Sequence, residues 1–123
     1  METILVVVLA AVFYFLIKRL MPVVGVRHKA PAELRKQLKD KNKQFIDVRP
    51  PGAFKQDHIR GFENIPLYEL SATIQRLERS NEFILISDNA RQMKKASAKL
   101  KRRGFRYVTT VQGGIQEWNE RSK

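Results

Sequence analysis

The residues best placed to do chemistry are Ser87, Asp88 and Asn89, which directly follow the apolar run 83–86. The run predicts a buried strand, and three short polar side chains at its end suit a tight turn and a helix N-cap. A strand that enters a helix through so short a loop directs several backbone N–H groups to one point, where the helix dipole adds positive potential. The stretch 83–104 therefore predicts a cradle for an anion or a thiolate.

The nucleophile that such a cradle usually serves is missing. The 123 residues contain no cysteine, which excludes disulfides, thiolate metal sites and cysteine nucleophiles. With only His28 and His58, a histidine-rich metal site is not expected, and we predict neither a metal nor a cofactor. Ser87 offers a hydroxyl, but a serine becomes reactive only beside a positioned base, and His58 is the one histidine inside the predicted domain.

The helix after the loop should begin near Ala90 and carry an apolar stripe at positions i, i+3, i+4 and i+7. The four residues of this stripe are Met93, Ala96, Ser97 and Leu100. Gly104 supplies the expected C-terminal stop. The stripe predicts a helix that packs on a sheet.

The rest of the chain alternates predicted strands and helices, without repeats or low-complexity segments. This alternation favours an α/β domain with a mainly parallel sheet. Beyond the stretch 83–104, we predict helices near 31–38, 67–77 and 115–119, strands over 44–48 and 107–111, and a short extended piece at Ile65.

The N-terminal region is apolar without interruption over 4–17. With Lys18 and Arg19 snorkelling outward, a helix over 3–21 reaches about 28 Å, close to the ~30 Å of a bilayer core. A cleavable signal peptide is the alternative, although residues 1–3 carry no positive charge and no small-x-small cleavage site follows.

The predicted organisation is a single-span anchor followed by one domain. It comprises a transmembrane helix over 3–21, a tether over 22–29 and a domain over 30–121. Lys18, Arg19, Arg27 and Lys29 follow the apolar run, and nothing basic precedes it. The positive-inside rule therefore predicts the N-terminus outside and the domain in the cytoplasm.

Three segments at a consistent spacing resemble the rhodanese (sulfurtransferase) family. The first begins at Ile46-Asp47-Val48-Arg49 and continues through His58-Ile59-x-Gly61 to Asn64-Ile65-Pro66-Leu67. The second is the stretch 83–105, and the third is Val111-x-Gly113-Gly114-Ile115-x-x-Trp118. The signature positions are Asp47, Arg49, His58, Gly61, Asn64, Pro66, Gly113, Gly114 and Trp118. We interpret these positions as structural, although Asp47 and Arg49 could also be read as a catalytic acid and an anion binder.

The resemblance implies a small α/β fold with a five-stranded, largely parallel sheet and helices on both faces. In active members, a cysteine at the end of the central strand carries a persulfide, held by backbone N–H groups of the following loop. That position is Ser87 here, so the resemblance implies no catalytic residue and a degenerate loop. The loop consists of Ser87, Asp88, Asn89, Ala90, Arg91, Gln92 and Met93.

The loop chemistry also departs from the family, because Asp88 and Gln92 stand where active members often have arginine. A carboxylate in that place repels an anionic sulfur substrate. An engineered change to Ser87 would explain that residue alone and leave Asp88, Gln92 and Met93 unexplained.

The helix carries the densest positive charge in a chain with 24 basic and 12 acidic residues, a net charge of +12. The candidate contacts to an anionic surface are Lys94, Lys95, Lys99, Lys101, Arg102 and Arg103. A solvated helix face is one interpretation and docking on anionic lipid is the other. Nucleic-acid binding is not favoured, because no aromatic residues are interleaved with the charge.

The function predicted from the sequence is an inactive, rhodanese-like binding or regulatory module at the cytoplasmic face of a membrane, with an unidentified protein partner. The alternative is a sulfurtransferase-related enzyme with residual or partner-assisted sulfur chemistry.

Overall fold

The fold was obtained as a computed structural model, which describes residues 1–20 and 25–121. After an N-terminal helix, α1 (Glu2–Leu20), strands and helices alternate along the chain. They are β1 (Val26–Lys29), α2 (Pro31–Arg35), β2 (Lys43–Asp47), α3 (Pro51–Gln56), β3 (Glu63–Asn64), α4 (Leu67–Thr73), β4 (Glu82–Ile86), α5 (Ala90–Arg102), β5 (Val108–Val111) and α6 (Gly114–Arg121). A 3-10 turn, Ile74–Arg76, continues α4.

The five strands form one sheet in the order β1-β5-β4-β2-β3, and every neighbouring pair is parallel. This confirms the predicted α/β class with a five-stranded sheet. In the register of β2 and β4, Asp47 lies opposite Ile86, so the two strands end side by side. The loops that follow them, with Arg49 and Ser87, therefore meet at one edge of the sheet.

Side chains alternate between the two faces of β4, and each face carries its own apolar core. Phe83 and Leu85 point into a core with α4 and α5, and Ile84 and Ile86 point into a second core with α2 and α6. Because both faces are covered by helices, the central strands read as continuous apolar runs in the sequence. The alternation fixes the register, since a shift by one residue would exchange the two cores.

The predicted tether over 22–29 is wrong for its second half, because Val26–Lys29 forms β1 and pairs with β5 along its whole length. Val26 lies opposite Val108 and Lys29 lies opposite Val111. Backbone hydrogen bonds made at an edge need no apolar pattern in the sequence, and of the four residues only Val26 is apolar. Residues 22–24 of the predicted tether, together with residue 21, lie outside the described residues. Because β1 belongs to the sheet, the folded domain begins closer to α1 than the sequence suggests.

The N-terminal helix is long and apolar enough to cross a membrane, and none of its residues is buried against the domain. Its 19 residues span about 28 Å. Lys18 and Arg19 lie in its last turn, where basic side chains complement the helix dipole. A signal sequence near the N-terminus would have the same length and composition, so both interpretations of this helix stand.

Candidate functional site

The loop between β4 and α5 has the strand, turn and helix arrangement that the sequence predicts. Asn89 is the N-cap of α5, and its side-chain Oδ1 accepts a hydrogen bond from the backbone N–H of Gln92 at 2.9 Å. Ser87 is fully buried, whereas Asp88, Asn89, Ala90 and Arg91 are exposed. The loop therefore opens to solvent next to the helix N-terminus, with its first residue turned inward.

Both oxygen atoms of Ser87 are engaged by hydrogen bonds. The Oγ hydroxyl donates to the side-chain Oε1 of Gln92, and the backbone carbonyl accepts from the N–H of Ile115 at 3.0 Å. A carboxamide oxygen is a poor proton acceptor, so Gln92 does not activate the hydroxyl as a histidine or carboxylate would. This arrangement holds the serine as a structural group.

Gly114, at the start of α6, lies directly against this loop. Its φ is +66°, and a Cβ atom built on it would lie 2.5 Å from the carbonyl oxygen of Ser87. A glycine is therefore required here for two reasons, the backbone conformation and the close approach. The Gly113–Gly114 turn, predicted as part of the family signature, thus contacts the backbone of Ser87 and helps to position the candidate loop.

Asp47 and Arg49, at the end of β2, form a closed ion pair inside the protein. Arg49 Nη2 lies 2.9 Å from Asp47 Oδ2, and its Nε lies 3.1 Å from each carboxylate oxygen. Arg49 also donates to the backbone carbonyl of Asp57 at 2.6 Å. Asp47 is fully buried and Arg49 is 5% exposed. Because these groups bind each other and the backbone, the geometry gives them a structural role.

Two further signature residues support the same corner. Asn64 donates from Nδ2 to the backbone carbonyls of Asp47 and Arg49, at 3.0 and 2.9 Å. His58 lies on the surface with its ring stacked on Phe54, 4.1 Å between ring centroids, and its Nδ1 is 2.9 Å from the Phe54 carbonyl. Since Ser87 bonds Gln92 and His58 bonds Phe54, the structure does not bring the two together as a nucleophile and its base.

The C-terminal aromatic residue of the signature is a core residue. Trp118 is 4% exposed and lies against Phe62, with 5.4 Å between centroids in an edge-to-face arrangement. The guanidinium of Arg35 lies 5.1 Å from its ring centroid. Trp118 thus packs α6 against the sheet rather than lining the opening of the loop.

The charges at the loop are a carboxylate and the guanidinium of the ion pair. Asp88 Oδ1 lies 3.8 Å from Arg49 Nη1, and the Asp88 side chain is 52% exposed. The carboxylate partly neutralises the one buried cation that approaches the loop. An anionic ligand in this position would therefore meet a negative side chain before it met the guanidinium.

The basic residues of α5 are divided between two flanks of the helix. On the flank towards β1, Lys94 Nζ donates to the backbone carbonyl of Arg19 at 2.7 Å, and Lys101 lies against Gly25. On the flank towards α4, the side chains of Lys95, Lys99 and Arg102 line a groove. The candidate contacts to an anionic surface that the sequence groups together therefore lie on two flanks of the helix.

This groove is the feature that the sequence reasoning missed. It has a volume of about 540 Å³ and lies between α4 and α5, next to Gln92 of the loop. Its other wall includes Pro66, Leu67 and Tyr68. Tyr68 is the signal that could have revealed it, because it lies outside the apolar stripe of its helix and is 68% exposed.

Among the described residues, no group of three or more His, Cys, Asp or Glu could hold a metal ion.

Comparisons with known proteins match this geometry to one family. The model of the rhodanese-like domain matches residues 30–121. The chain is 30% identical over 80 residues to the uncharacterized protein YqhL of Bacillus subtilis, covering 65% of this chain and 64% of that protein. It is 27% identical over 84 residues to the putative sulfur carrier protein YrkF of the same organism, covering 68% of this chain and 45% of YrkF. The chain thus spans less than two thirds of either relative.

A third curated relative and a solved structure are also similar to this chain. The thiosulfate sulfurtransferase GlpE of Pseudomonas fluorescens is 27% identical over 90 residues, which cover 73% of this chain and 83% of GlpE. The crystal structure of a rhodanese-related protein from Thermoplasma volcanium superposes with a TM-score of 0.67 at 29% identity. That match covers 77% of this chain and 92% of the other.

Proposed function

The chain belongs to the rhodanese-like domain family, and from that membership we propose that it is an inactive member, a binding or regulatory module held at a membrane. Its relatives include thiosulfate sulfurtransferases. The family resemblance implies that active members need a cysteine that carries a persulfide. This chain has no cysteine in its 123 residues. The fold would then be retained for recognition rather than for sulfur transfer.

The observation that carries the proposal is the state of Ser87. It occupies the family's nucleophile position, is fully buried, and donates a hydrogen bond from its hydroxyl to the carboxamide oxygen Oε1 of Gln92. A serine hydroxyl is a weak nucleophile unless an adjacent base takes its proton, and the Gln92 carboxamide is not such a base. Asp88 adds a negative charge at the mouth of the loop, which disfavours thiosulfate and persulfide anions.

The membrane part of the proposal is supported by α1 and by the basic flank of α5 beside it. The helix is apolar and unburied, Lys94 contacts its last turn at the Arg19 carbonyl, and Lys101 lies beside Gly25. With only five residues between Leu20 and Val26, the domain can move at most about 18 Å from the end of the helix. Basic side chains at that distance would contribute about 1 kcal/mol each to attraction by anionic lipid.

The activity test is a thiosulfate-to-cyanide sulfur-transfer assay on the full-length protein in mild detergent, with a GlpE enzyme as the positive control. We expect no turnover above background. The variants Ser87→Cys and Ser87→Cys/Asp88→Arg provide a graded comparison, in which a gain is expected for the first and a larger gain for the second. Clear turnover by the unmodified protein, or equal turnover by the two variants, would contradict the proposal.

The topology test uses the absence of native cysteine, since a single introduced thiol is then the only one that can be labelled. We propose Glu2→Cys and Arg60→Cys, both at exposed positions, treated with a membrane-impermeant maleimide on intact cells. A cytoplasmic domain predicts labelling of the first variant at once and of the second only after permeabilisation. The reverse order would place the domain outside, and loss of α1 from the mature protein would identify it as a signal sequence.

A further inference from the structure

The groove between α4 and α5 combines a basic wall with an apolar wall. The basic wall is built by Lys95, Lys99 and Arg102, which are spaced at i, i+4 and i+7 and so project from one side of α5. Lys95 and Arg102 are exposed, and Lys99 donates from Nζ to the carbonyl of Leu67 at 3.3 Å. None of the residues that line the groove is acidic.

These cations are not neutralised within the domain. Throughout residues 1–20 and 25–121, none of the three cations of the groove takes part in an ion pair. Three positive charges within two turns of a helix repel one another, because like charges at i, i+4 are destabilising. An anionic occupant would relieve that repulsion.

The opposite wall is apolar and aromatic. Pro50 and Pro66 bracket it, and Leu67 and Tyr68 complete it. Tyrosine is enriched at protein interfaces because it offers a large apolar face with a polar end, and here 68% of its surface is exposed. A simple inorganic anion would use only the basic wall, whereas an occupant with both carboxylates and an apolar side chain would use both.

The position of the groove favours a protein over the lipid surface. The flank of α5 beside α1 is the other one, where Lys94 meets the carbonyl of Arg19. Residues of the groove lie about a quarter to a third of a turn around the helix from Lys94, next to the loop at the carboxyl ends of the strands. The flank with Lys94 is therefore suited to an anionic bilayer. The flank with the groove is left for an anionic protein.

We propose that the α4–α5 groove binds an acidic, extended segment of a partner protein. Carboxylates of the segment pair with Lys95, Lys99 and Arg102, and one apolar side chain packs on Leu67 and Tyr68. This proposal rests on the function proposed above, a module that recognises rather than reacts, and it supplies the chemistry of the ligand.

The test measures peptide binding by the full-length protein in nanodiscs of phosphatidylcholine. The probe is a fluorescein-labelled peptide rich in Glu and Asp with a central Leu-Phe pair, followed by fluorescence anisotropy. Two matched peptides carry Gln and Asn in place of the acids, or Ser in place of Leu and Phe. The groove variant is Lys95→Glu/Arg102→Glu, and the control is Lys36→Glu/Lys39→Glu, at two exposed positions of equal charge outside the groove.

We expect saturable binding of the acidic peptide, about tenfold weaker with the groove variant and within about twofold of wild type with the control. The amide peptide should not bind, and the serine peptide should bind more weakly than its parent. Equal losses in both variants would mean general attraction to a basic protein, and no saturation up to millimolar peptide would mean no site. Either result overturns the proposal.

Two further arms separate the remaining explanations. If phosphatidylserine in the nanodiscs displaces the peptide from the wild type, the groove is a lipid site and the proposal is overturned. Sulfur transfer measured on the same samples tests the proposed function separately. Turnover would refute the inactive module, whereas absent turnover together with absent peptide binding would refute the groove alone.

Discussion

The ends of β2 and β4 lie side by side in the sheet and differ in what they hold. After β2, Asp47 and Arg49 are buried, bonded to each other in a forked arrangement and tied to the backbone of the next turn. After β4, the loop from Ser87 onward exposes Asp88, Asn89 and Arg91, and its one buried hydroxyl bonds a carboxamide. One end buries its charged groups in a closed set of contacts, and the other presents a short polar loop to solvent.

The two ends also differ in what holds them in place. The corner after β2 satisfies its own charges, because Asp47 pairs with Arg49 and Arg49 also donates to the Asp57 carbonyl. The loop after β4 is fixed by an N-cap, by the glycine turn before α6 and by the start of α5, and none of these features requires a nucleophile. Neither end therefore relies on a reactive side chain for its position.

The largest effect is expected at the corner after β2, with Arg49→Ala. The variant would leave the carboxylate of Asp47 fully buried with no cation, and we expect the free energy of unfolding to fall by about 3–5 kcal/mol. Denaturant unfolding of the full-length protein in detergent, followed by tryptophan fluorescence, measures this change. The exposed Arg91→Ala is the control, with an expected change within about 0.5 kcal/mol. Equal small effects in both variants would remove the distinction between corner and loop.

The second prediction concerns Gly114, where the loop meets α6. In Gly114→Ala the new Cβ would approach the Ser87 carbonyl to 2.5 Å and would sit on a residue with φ +66°. We expect a loss of about 2–3 kcal/mol, from steric displacement and backbone strain together. Gly52→Ala is the matched control, because no atom lies within 4 Å of a Cβ there. A loss no greater than the control's would show that the loop can shift to accept the new Cβ and that its position does not depend on the contact with Gly114.

The third prediction examines the opposite ends of the same strands, where Glu82 of β4 contacts Lys43 of β2 at 3.5 Å and Lys29 at 3.6 Å. Burial raises the pKa of Glu82, but the hydrogen bond from Thr109 and these two cations lower it by more, so the pKa lies below the ordinary 4.5. Its contribution is therefore present above about pH 4.5 and is lost as the pH falls through the folded-state pKa.

In Glu82→Gln we expect a loss of about 1 kcal/mol at neutral pH and a smaller further loss on acidification than in the wild type. Urea unfolding at neutral pH and below pH 4.5 measures both quantities. If the variant loses stability in acid as steeply as the wild type, carboxylates other than Glu82 determine the fall in the free energy of unfolding at low pH.

The smallest effect is expected at the loop, with Asp88→Asn. Its contact with Arg49 is 3.8 Å long and half exposed, and pairs of this kind contribute about 0–1 kcal/mol. We expect a change within about 0.5 kcal/mol in the free energy of unfolding. A loss comparable to that of Arg49→Ala would mean that Asp88 belongs to the buried corner after β2 and that the two strand ends are held in the same way.

The central strand, loop and helix could be predicted from the sequence because their signals are strong and local. Phe83 to Ile86 is an apolar run, Asn89 is an effective cap, and Gly104 with φ +91° ends the helical segment. The assignment of Ser87 to the family's cysteine position is what the resemblance implies. Its bond to Gln92 could not be predicted, because a contact five residues apart across a turn depends on the path of the loop.

The edge strand and the groove could not be predicted for a different reason. The strand Val26–Lys29 is defined by backbone pairing with a strand about 82 residues away, which leaves no periodic trace in four residues. The groove arises where α4 and α5 meet, and a helical stripe predicts which residues are buried but not the space between two helices. In both cases the missing information is tertiary.

The pairing of β1 with β5 has a consequence for how the protein is made. Within the described residues, β1 lies at the edge of the sheet and pairs with β5 alone, and β5 is translated more than half a chain length later. During synthesis these first residues cannot complete their pairing until β5 has been made. The pairing that holds β1 in the sheet therefore forms late, and a force applied to α1 would act on this pairing before it reached the central strands.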